Sequence, residues 1–349
     1  MTRLLGFAAP RQAAKRLALT GGWNARRLPA SFRPVRRPWL ADNRILLVGA
    51  PVRELDEVTQ SLKALPTALV QAAALPPDSA DYDLVIVHYD GLSVDERAAL
   101  VQVAAASKLP LVFLSDGDCH RDLPSLLDRR VLTNLLGRNG GTTADLAITV
   151  EKLLRRDIFG LEKYLPAAVE PRAFKVTRST EKEWILEQAE DYARACDVNP
   201  RLVSLYCTVA DEFVSNAVYN APVDEHGKSR YRDVDRCTEV VLSPGEAVDV
   251  KFSYDGYRLG ISTADPFGSL TRERLLQYLA KCFRRGPDQV DNRTGGAGLG
   301  FYCIYQSVTH FAVNIAPGHR TELVGLLDAS GTYRDFAGKQ KSFNIFMTE

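Results

Sequence analysis

The chain runs to 349 residues, 46% of them hydrophobic and 25% charged, with a formal net charge of +1. At roughly 100–200 residues per domain this length points to two domains, and the composition excludes a largely disordered, collagen-like or membrane-embedded chain. The small net charge hides an asymmetry: residues 1–41 hold nine Arg and Lys and no acid, so the rest carries −8 and offers no broad positive surface for nucleic acid.

Residues 1–42 read as a basic, disordered leader. The alternatives are a mitochondrial presequence, whose Arg-rich and acid-poor composition it shares, and residues upstream of the true start. A secretory signal does not fit, because Arg11, Lys15 and Arg16 break the apolar stretches. No apolar run approaches the ~20 residues of a membrane span. The six cysteines (Cys119, Cys196, Cys207, Cys237, Cys282, Cys303) lie far apart with no Cys-x-x-Cys pair, and read as reduced thiols of a cytoplasmic protein.

From residue 43 apolar strands alternate with helical stretches: strands over 44–48, 84–88 and 111–115, helices over 55–65 and 94–106. Runs such as Leu-Val-Ile-Val and Leu-Val-Phe-Leu are apolar on both faces, which predicts a doubly wound parallel sheet covered by helices. This is one α/β domain over 43–155, followed by a connector over 156–171 that breaks at Pro166 and Pro171.

Residues 172–349 change character, with two helices, a run of antiparallel strands, a glycine-rich turn and helix, and further strands. The expectation is an α+β layer, its sheet packed on helices. Thr180 with Glu183 reads as a capping box opening a helix through Cys196. Asn199 and Pro200 cap and start a second helix reaching about Tyr219. Asp255-Gly256, between strands over 248–254 and 257–264, is a strong hairpin signal.

On the second helix Leu202, Leu205, Tyr206, Val209, Phe213 and Ala217 form an apolar stripe that should face the sheet. Glu212, Asn216 and Asn220 recur at i, i+4 and i+8 and so share a line beside that stripe. A carboxylate can take a proton, and an amide oxygen is a hard ligand suited to Mg²⁺. The competing reading is a solvated polar face. Further on, residues 292–300 place Gly295, Gly296, Gly298 and Gly300 just before an apolar helix. Glycines let backbone approach a ligand, and a helix N-terminus favours phosphate. The run is neither a Walker A loop nor Gly-x-Gly-x-x-Gly.

Taken together, Glu-x-x-x-Asn on a helix, Asp265-Pro-Phe-Gly268 after a strand, Gly-x-Gly-Leu-Gly-Phe before a helix and Gly318-His-Arg-Thr321 before a strand resemble the GHKL ATP-binding fold of histidine kinases and gyrase-type ATPases. Within it, Asp211-Glu-Phe-Val-Ser-Asn-Ala217 is most similar to the anti-sigma-factor serine/threonine kinases. The resemblance covers residues 172–349 and implies a two-layer α/β sandwich with a mostly antiparallel sheet. It implies ATP and Mg²⁺ as cofactors, Glu212 as general base and Asn216 as the Mg²⁺ ligand. Asp265 would accept the adenine amino group, Thr321 would reach the adenine site, and Gly296, Gly298 and Gly300 would shape the phosphate loop. Asn220, Gly268 and Leu299 complete the implied binding set. Phe267 stands where the family has a glycine.

Residues 43–155 resemble a response-regulator receiver that has lost its acidic cluster. His88 occupies the phosphoacceptor position, Gly49-Ala50-Pro51 replaces the acidic pair, Asn134 stands near the lysine position, and Ser115 matches the hydroxyl. Such a pseudo-receiver would dock a partner or form a homodimer, with Asp90 as an offset acceptor in a further variant. The implied protein is a bacterial signalling kinase that phosphorylates Ser or Thr of an anti-anti-sigma-like regulator, or that binds a sigma factor. The alternatives are a nucleotide-binding partner-switching scaffold without turnover, and a histidine-kinase-like core lacking its own phosphoacceptor helix.

Overall fold

The computed structural model describes residues 43–49, 55–62, 65, 67–72, 76, 81–106, 109–115, 123–128, 131–137, 143–166, 168–283 and 299–348. The basic leader, Ala50-Pro51 and the glycines 295, 296 and 298 lie outside the described residues.

The first half alternates β1 (Arg44–Val48), α1 (Leu55–Leu62), β2 (Ala68–Ala72), β3 (Leu84–His88), α2 (Val94–Ala106), β4 (Leu111–Ser115), α3 (Leu123–Asp128), β5 (Asn134–Gly137) and α4 (Thr143–Arg155). Its strands are parallel in the order β2-β1-β3-β4-β5. Side chains alternate across them as the pleat requires. Ile45, Leu47, Ile86, Val112 and Leu114 meet Val58, Leu62, Leu146 and Val150 of α1 and α4. Leu46, Val48, Val85, Val87 and Phe113 turn to the other side, toward Leu100 of α2 and Leu126 of α3. Both faces are therefore covered, as the apolar runs predict. The edge strand β2, half exposed along its length, carries no such pattern.

The second half comprises β6 (Arg172–Val176), α5 (Lys182–Ala195), α6 (Pro200–Ser215), β7 (Val248–Tyr254), β8 (Arg258–Asp265), α7 (Arg272–Phe283), α8 (Leu299–Ser307), β9 (His310–Ala316), β10 (Arg320–Asp328), α9 (Tyr333–Ala337) and β11 (Ser342–Met347). The β7–β8 hairpin turns at Gly256, whose φ of 94° suits glycine, with Asp255 Oδ1 accepting from the amides of Tyr257 at 2.9 Å and Arg258 at 2.6 Å. The capping expectation needs correcting. Glu181, not Glu183, receives the amides of Thr177 at 2.7 Å and Arg178 at 2.9 Å, and α5 opens at Lys182, one residue later than a Thr180 cap would place it. The Asn199 cap forms as expected, its Oδ1 accepting from Arg201 N at 2.9 Å.

The sequence suggests two sheets separated by a connector; instead all eleven strands form one mixed sheet, β2-β1-β3-β4-β5-β11-β9-β10-β8-β7-β6. The last strand makes the junction. β11 runs antiparallel to β5, pairing Phe343 with Leu135 and Asn344 with Asn134, and parallel to β9 on its other side. The connector is no free tether: Ile158, Leu161, Tyr164 and Leu165 are buried against Val324, Leu326 and Phe346.

A buried polar layer crosses this junction. Asn344 Nδ2 donates to Asn134 Oδ1 at 3.0 Å, while Asn344 Oδ1 lies 2.5 Å from His310 Nε2. Arg258 bridges Asp145 of α4 at 2.8 Å and the Tyr164 carbonyl at 2.6 Å. Lys152 Nζ donates to Asn314 Oδ1 at 2.9 Å and to Tyr164 Oη at 3.0 Å, and Asn314 Nδ2 in turn donates to Glu322 at 2.8 Å. Such groups are costly to bury unless paired, so together they pin one register between the halves.

Candidate functional site

The apolar stripe of α6 buries Leu202, Tyr206, Val209, Phe213 and Ala217 against the sheet, with Leu205 half-buried at its margin. The regular α-helix stops at Ser215, and Asn216–Asn220 form a π turn in which Ala221 N–H reaches back to Asn216 O at 2.9 Å. π turns of this kind recur where a helix must re-aim side chains. Asn216 Nδ2 donates to the Glu212 carbonyl at 2.8 Å, and Asn220 Nδ2 donates to Asn216 Oδ1 at 2.9 Å. The three polar residues of the i, i+4, i+8 line thus stay linked, and all three line one open cleft of about 610 Å³.

Gly300, the second residue of α8, faces the same cleft. A Cβ there would overlap Glu212 Oε2, so Gly300, the last glycine of the 292–300 run, and the carboxylate of α6 meet face to face although 88 positions separate them. Gly296 and Gly298 fall outside the described residues, and Leu299 opens the helix. Burial first, and then the neighbouring Asp211, hold the Glu212 carboxyl above the usual carboxylate range, with Lys182 and Arg236 opposing. Lys182 is itself paired with Asp211 at 2.5 Å.

Asn216 and Asn220 also line a second, more enclosed pocket, which holds Asp265 at its base and has Ala217, Leu270, Phe301 and Leu323 among its walls. Asp265 ends β8 and is only 6% exposed. Burial pushes its carboxyl up to about 7, against the amides of Phe267 and Gly268 that donate to it. Thr321 pairs with Asp265 across β8 and β10; its hydroxyl is buried beside the carboxyl but outside hydrogen-bonding geometry. A buried carboxyl and a hydroxyl under apolar walls are the few polar groups that orient a ligand in an otherwise apolar pocket.

Two further contacts explain why the scattered motifs converge. Gly268 adopts φ of 57° and accepts from Gly318 N at 3.1 Å, and a Cβ there would strike the carbonyl of Ala316, so the turn after β8 is seated directly on the β9–β10 hairpin. Ser269 Oγ donates to the Ala221 carbonyl at 2.7 Å, fastening that turn to the end of the π turn. Pro266 is exposed and Phe267 half-buried, and neither lines the pocket.

Residue types that sequence reasoning passed over come from residues 222–247, an irregular segment between the π turn and β7. It contributes Arg232 to the inner pocket and Arg236 to the open cleft, where the guanidinium lies 4.0 Å from the centre of the Tyr219 ring. Arg274 of α7 also lines the inner pocket. Neither a periodicity nor a motif marks these arginines in the sequence.

At the opposite end of the sheet, Ser115 Oγ donates to Asp90 Oδ2 at 2.8 Å, and His88 is buried at the end of β3. Asn134 does not stand at that end. Its side chain donates to the Leu111 carbonyl at 3.1 Å and accepts from Asn344, so it belongs to the junction between the halves.

No family model matches the chain, and no curated protein matches it. Among the described residues no helix is long and apolar enough to cross a membrane, and no cluster of three or more His, Cys, Asp or Glu is arranged to hold a metal ion. The oxygens of Glu212, Asn216 and Asn220 on one cleft do fit an ion such as Mg²⁺, which takes one or two protein oxygens and completes its octahedron with water and phosphate.

Proposed function

We propose that residues 172–349 bind ATP with Mg²⁺ and transfer the γ-phosphoryl group to a serine or threonine of a regulatory partner protein, in the manner of the anti-sigma-factor kinases that the motifs resemble. The observation that carries this reading is the convergence of Glu212, Asn216, Asn220 and Gly300 on one cleft, which shares its two asparagines with the Asp265 pocket. Asp265 and Thr321 would recognise adenine at the enclosed end. The polyphosphate would lie in the open cleft, near the start of α8. Asn216 would hold Mg²⁺, which when bound neutralises phosphate charge.

Phosphoryl transfer depends mainly on positioning and charge stabilisation. Glu212 stands where it could take the proton of an incoming hydroxyl, and its raised basicity suits it to that role. The lining residues of the cleft and the pocket all come from residues 172–349, among them α6, the π turn, α8, β8 and β10.

The test is incubation of the full-length protein with γ-labelled ATP and candidate partner proteins. Acid-stable label on a partner Ser or Thr is expected, and Glu212→Ala should retain nucleotide while losing transfer by roughly 10²–10⁴-fold. Nucleotide bound but never transferred would convert the reading to a partner-switching scaffold. Acid-labile label on histidine would convert it to a histidine-kinase-like core. Undiminished transfer by Glu212→Ala would remove Glu212 from the chemistry.

A further inference from the structure

The segment over 222–247 is built to present two of its arginines and to anchor a third. Arg230 is the anchor: it pairs with Glu246 and donates to Tyr231 Oη at 2.5 Å, while its amide bonds to the Pro222 carbonyl at 3.0 Å. The far end of the segment is stitched to the stretch just ahead of α5, with Leu242 N donating to Thr177 O at 2.7 Å and Val240 N to Ser179 Oγ at 2.9 Å. Between these anchors Asp235 caps its own turn, its carboxylate accepting from Cys237 N at 2.9 Å and its carbonyl from Thr238 N at 2.8 Å. Arg236 sits at the head of that turn.

Among the described residues Arg236 forms no ion pair and no side-chain hydrogen bond; its guanidinium rests over the Tyr219 ring. Arg232 likewise has no carboxylate partner among the described residues. The other cations around the cleft are committed, Lys182 to Asp211 at 2.5 Å and Arg178 to Glu239 at 3.1 Å. Three guanidiniums form no ion pair among the described residues, Arg236 in the open cleft with only the longer-range attraction of Glu212, and Arg232 and Arg274 in the inner pocket that shares Asn216 and Asn220 with it, and this excess of cation suits an extended anion. Guanidinium is the cation best matched to phosphate, because its planar fork donates in pairs, and stacking on an aromatic ring pre-orients it.

We infer that Arg236 is a phosphate-binding residue which meets the distal phosphates of a nucleoside triphosphate in the Glu212 cleft, with Arg232 contacting the same anion nearer the base. This deepens the nucleotide reading proposed above and rests on it for the identity of the ligand. It adds one consequence: the site distinguishes triphosphate from nucleoside through Arg236.

The test is isothermal titration of the full-length protein with ATP, AMP, adenosine and inorganic tripolyphosphate, comparing wild type, Arg236→Ala, Arg236→Lys and Arg178→Ala. Arg236 is exposed, so matching circular dichroism will show that each variant folds. Arg236→Ala should weaken ATP and tripolyphosphate about 10-fold or more and leave adenosine unchanged. Arg236→Lys should recover part of that loss, Arg178→Ala should match wild type, and the salt dependence of ATP binding should flatten in Arg236→Ala. Wild-type ATP affinity in Arg236→Ala would overturn the assignment while leaving the nucleotide reading intact. Arg236-dependent binding of tripolyphosphate, with no preference for ATP and none for adenosine, would overturn the nucleotide reading and leave Arg236 as an anion site. If wild type binds none of the four ligands, both fall.

Discussion

The carboxylate of Glu212 packs against the Cα of Gly300 so closely that a methyl group on residue 300 would overlap Oε2. Gly300→Ala must therefore displace either Glu212 or the first turn of α8. The atoms struck are the far end of a flexible side chain, so the carboxylate gives way, and the unfolding free energy from denaturant titration should stay within about 1 kcal/mol of wild type. Transfer activity should fall, because Glu212 is moved from its place. Wild-type activity in this variant would mean that the contact is not maintained in solution.

Asp265 titrates near 7 in the folded protein because it is buried, against about 4 when unfolded. Between those values the native state keeps a proton that the unfolded chain has lost, so ionisation of Asp265 lowers stability as pH climbs from about 4 to about 7, and the penalty is constant above that. Asp265→Asn keeps an acceptor for the Phe267 amide and removes the titration. The variant's unfolding free energy minus that of wild type should grow with pH across this window, by at most about 1.4 kcal/mol per unit. A flat difference would show Asp265 to be no more buried in solution than an ordinary surface carboxylate.

Lys152 behaves in the opposite sense. Burial lowers its ammonium to about 7, so from about pH 7 up to the ordinary lysine value near 10 the unfolded chain holds a proton that the native state has released. Stability from this residue is least below pH 7 and rises toward pH 10. Lys152→Met abolishes that rise, so the variant should lose ground to wild type as the solution is made more alkaline. Urea titrations at pH 7, 8 and 9 measure it, and parallel curves for the two proteins would remove Lys152 from the linkage.

Asn344 bonds to Asn134 of one half and His310 of the other. Asn344→Ala leaves both partners buried without this contact, and roughly 1–3 kcal/mol per orphaned group is expected. Because the sheet is continuous through β5 and β11, both halves should unfold in one transition, and the variant should move that transition as a whole. Fluorescence and far-ultraviolet dichroism should give the same midpoint. Two separated transitions in wild type would show that the halves are energetically independent.

Local structure was largely written in the chain. Runs apolar on both faces, as at Leu84–His88 and Leu111–Ser115, can be buried only between two layers, which sets the parallel half. The Asn199 cap, the Asp255-Gly256 turn and the stripe on α6 follow from short-range sterics and period, and the structure contains each of them. The polar line Glu212, Asn216, Asn220 was visible as well, although the π turn was not, because helical spacing alone does not reveal where a backbone hydrogen bond slips by one residue. Two things were decided only by tertiary structure. One is the junction at Asn134, Asn344 and His310, whose residues lie up to 210 positions apart and carry no periodic signal. The other is the arrival of Arg232 and Arg236 at the cleft from an irregular segment. Period and propensity report on neighbours within a turn or two of chain; which edge a final strand completes, and which unpaired cation a loop brings to a cavity, depend on free energy gained only when distant segments pack.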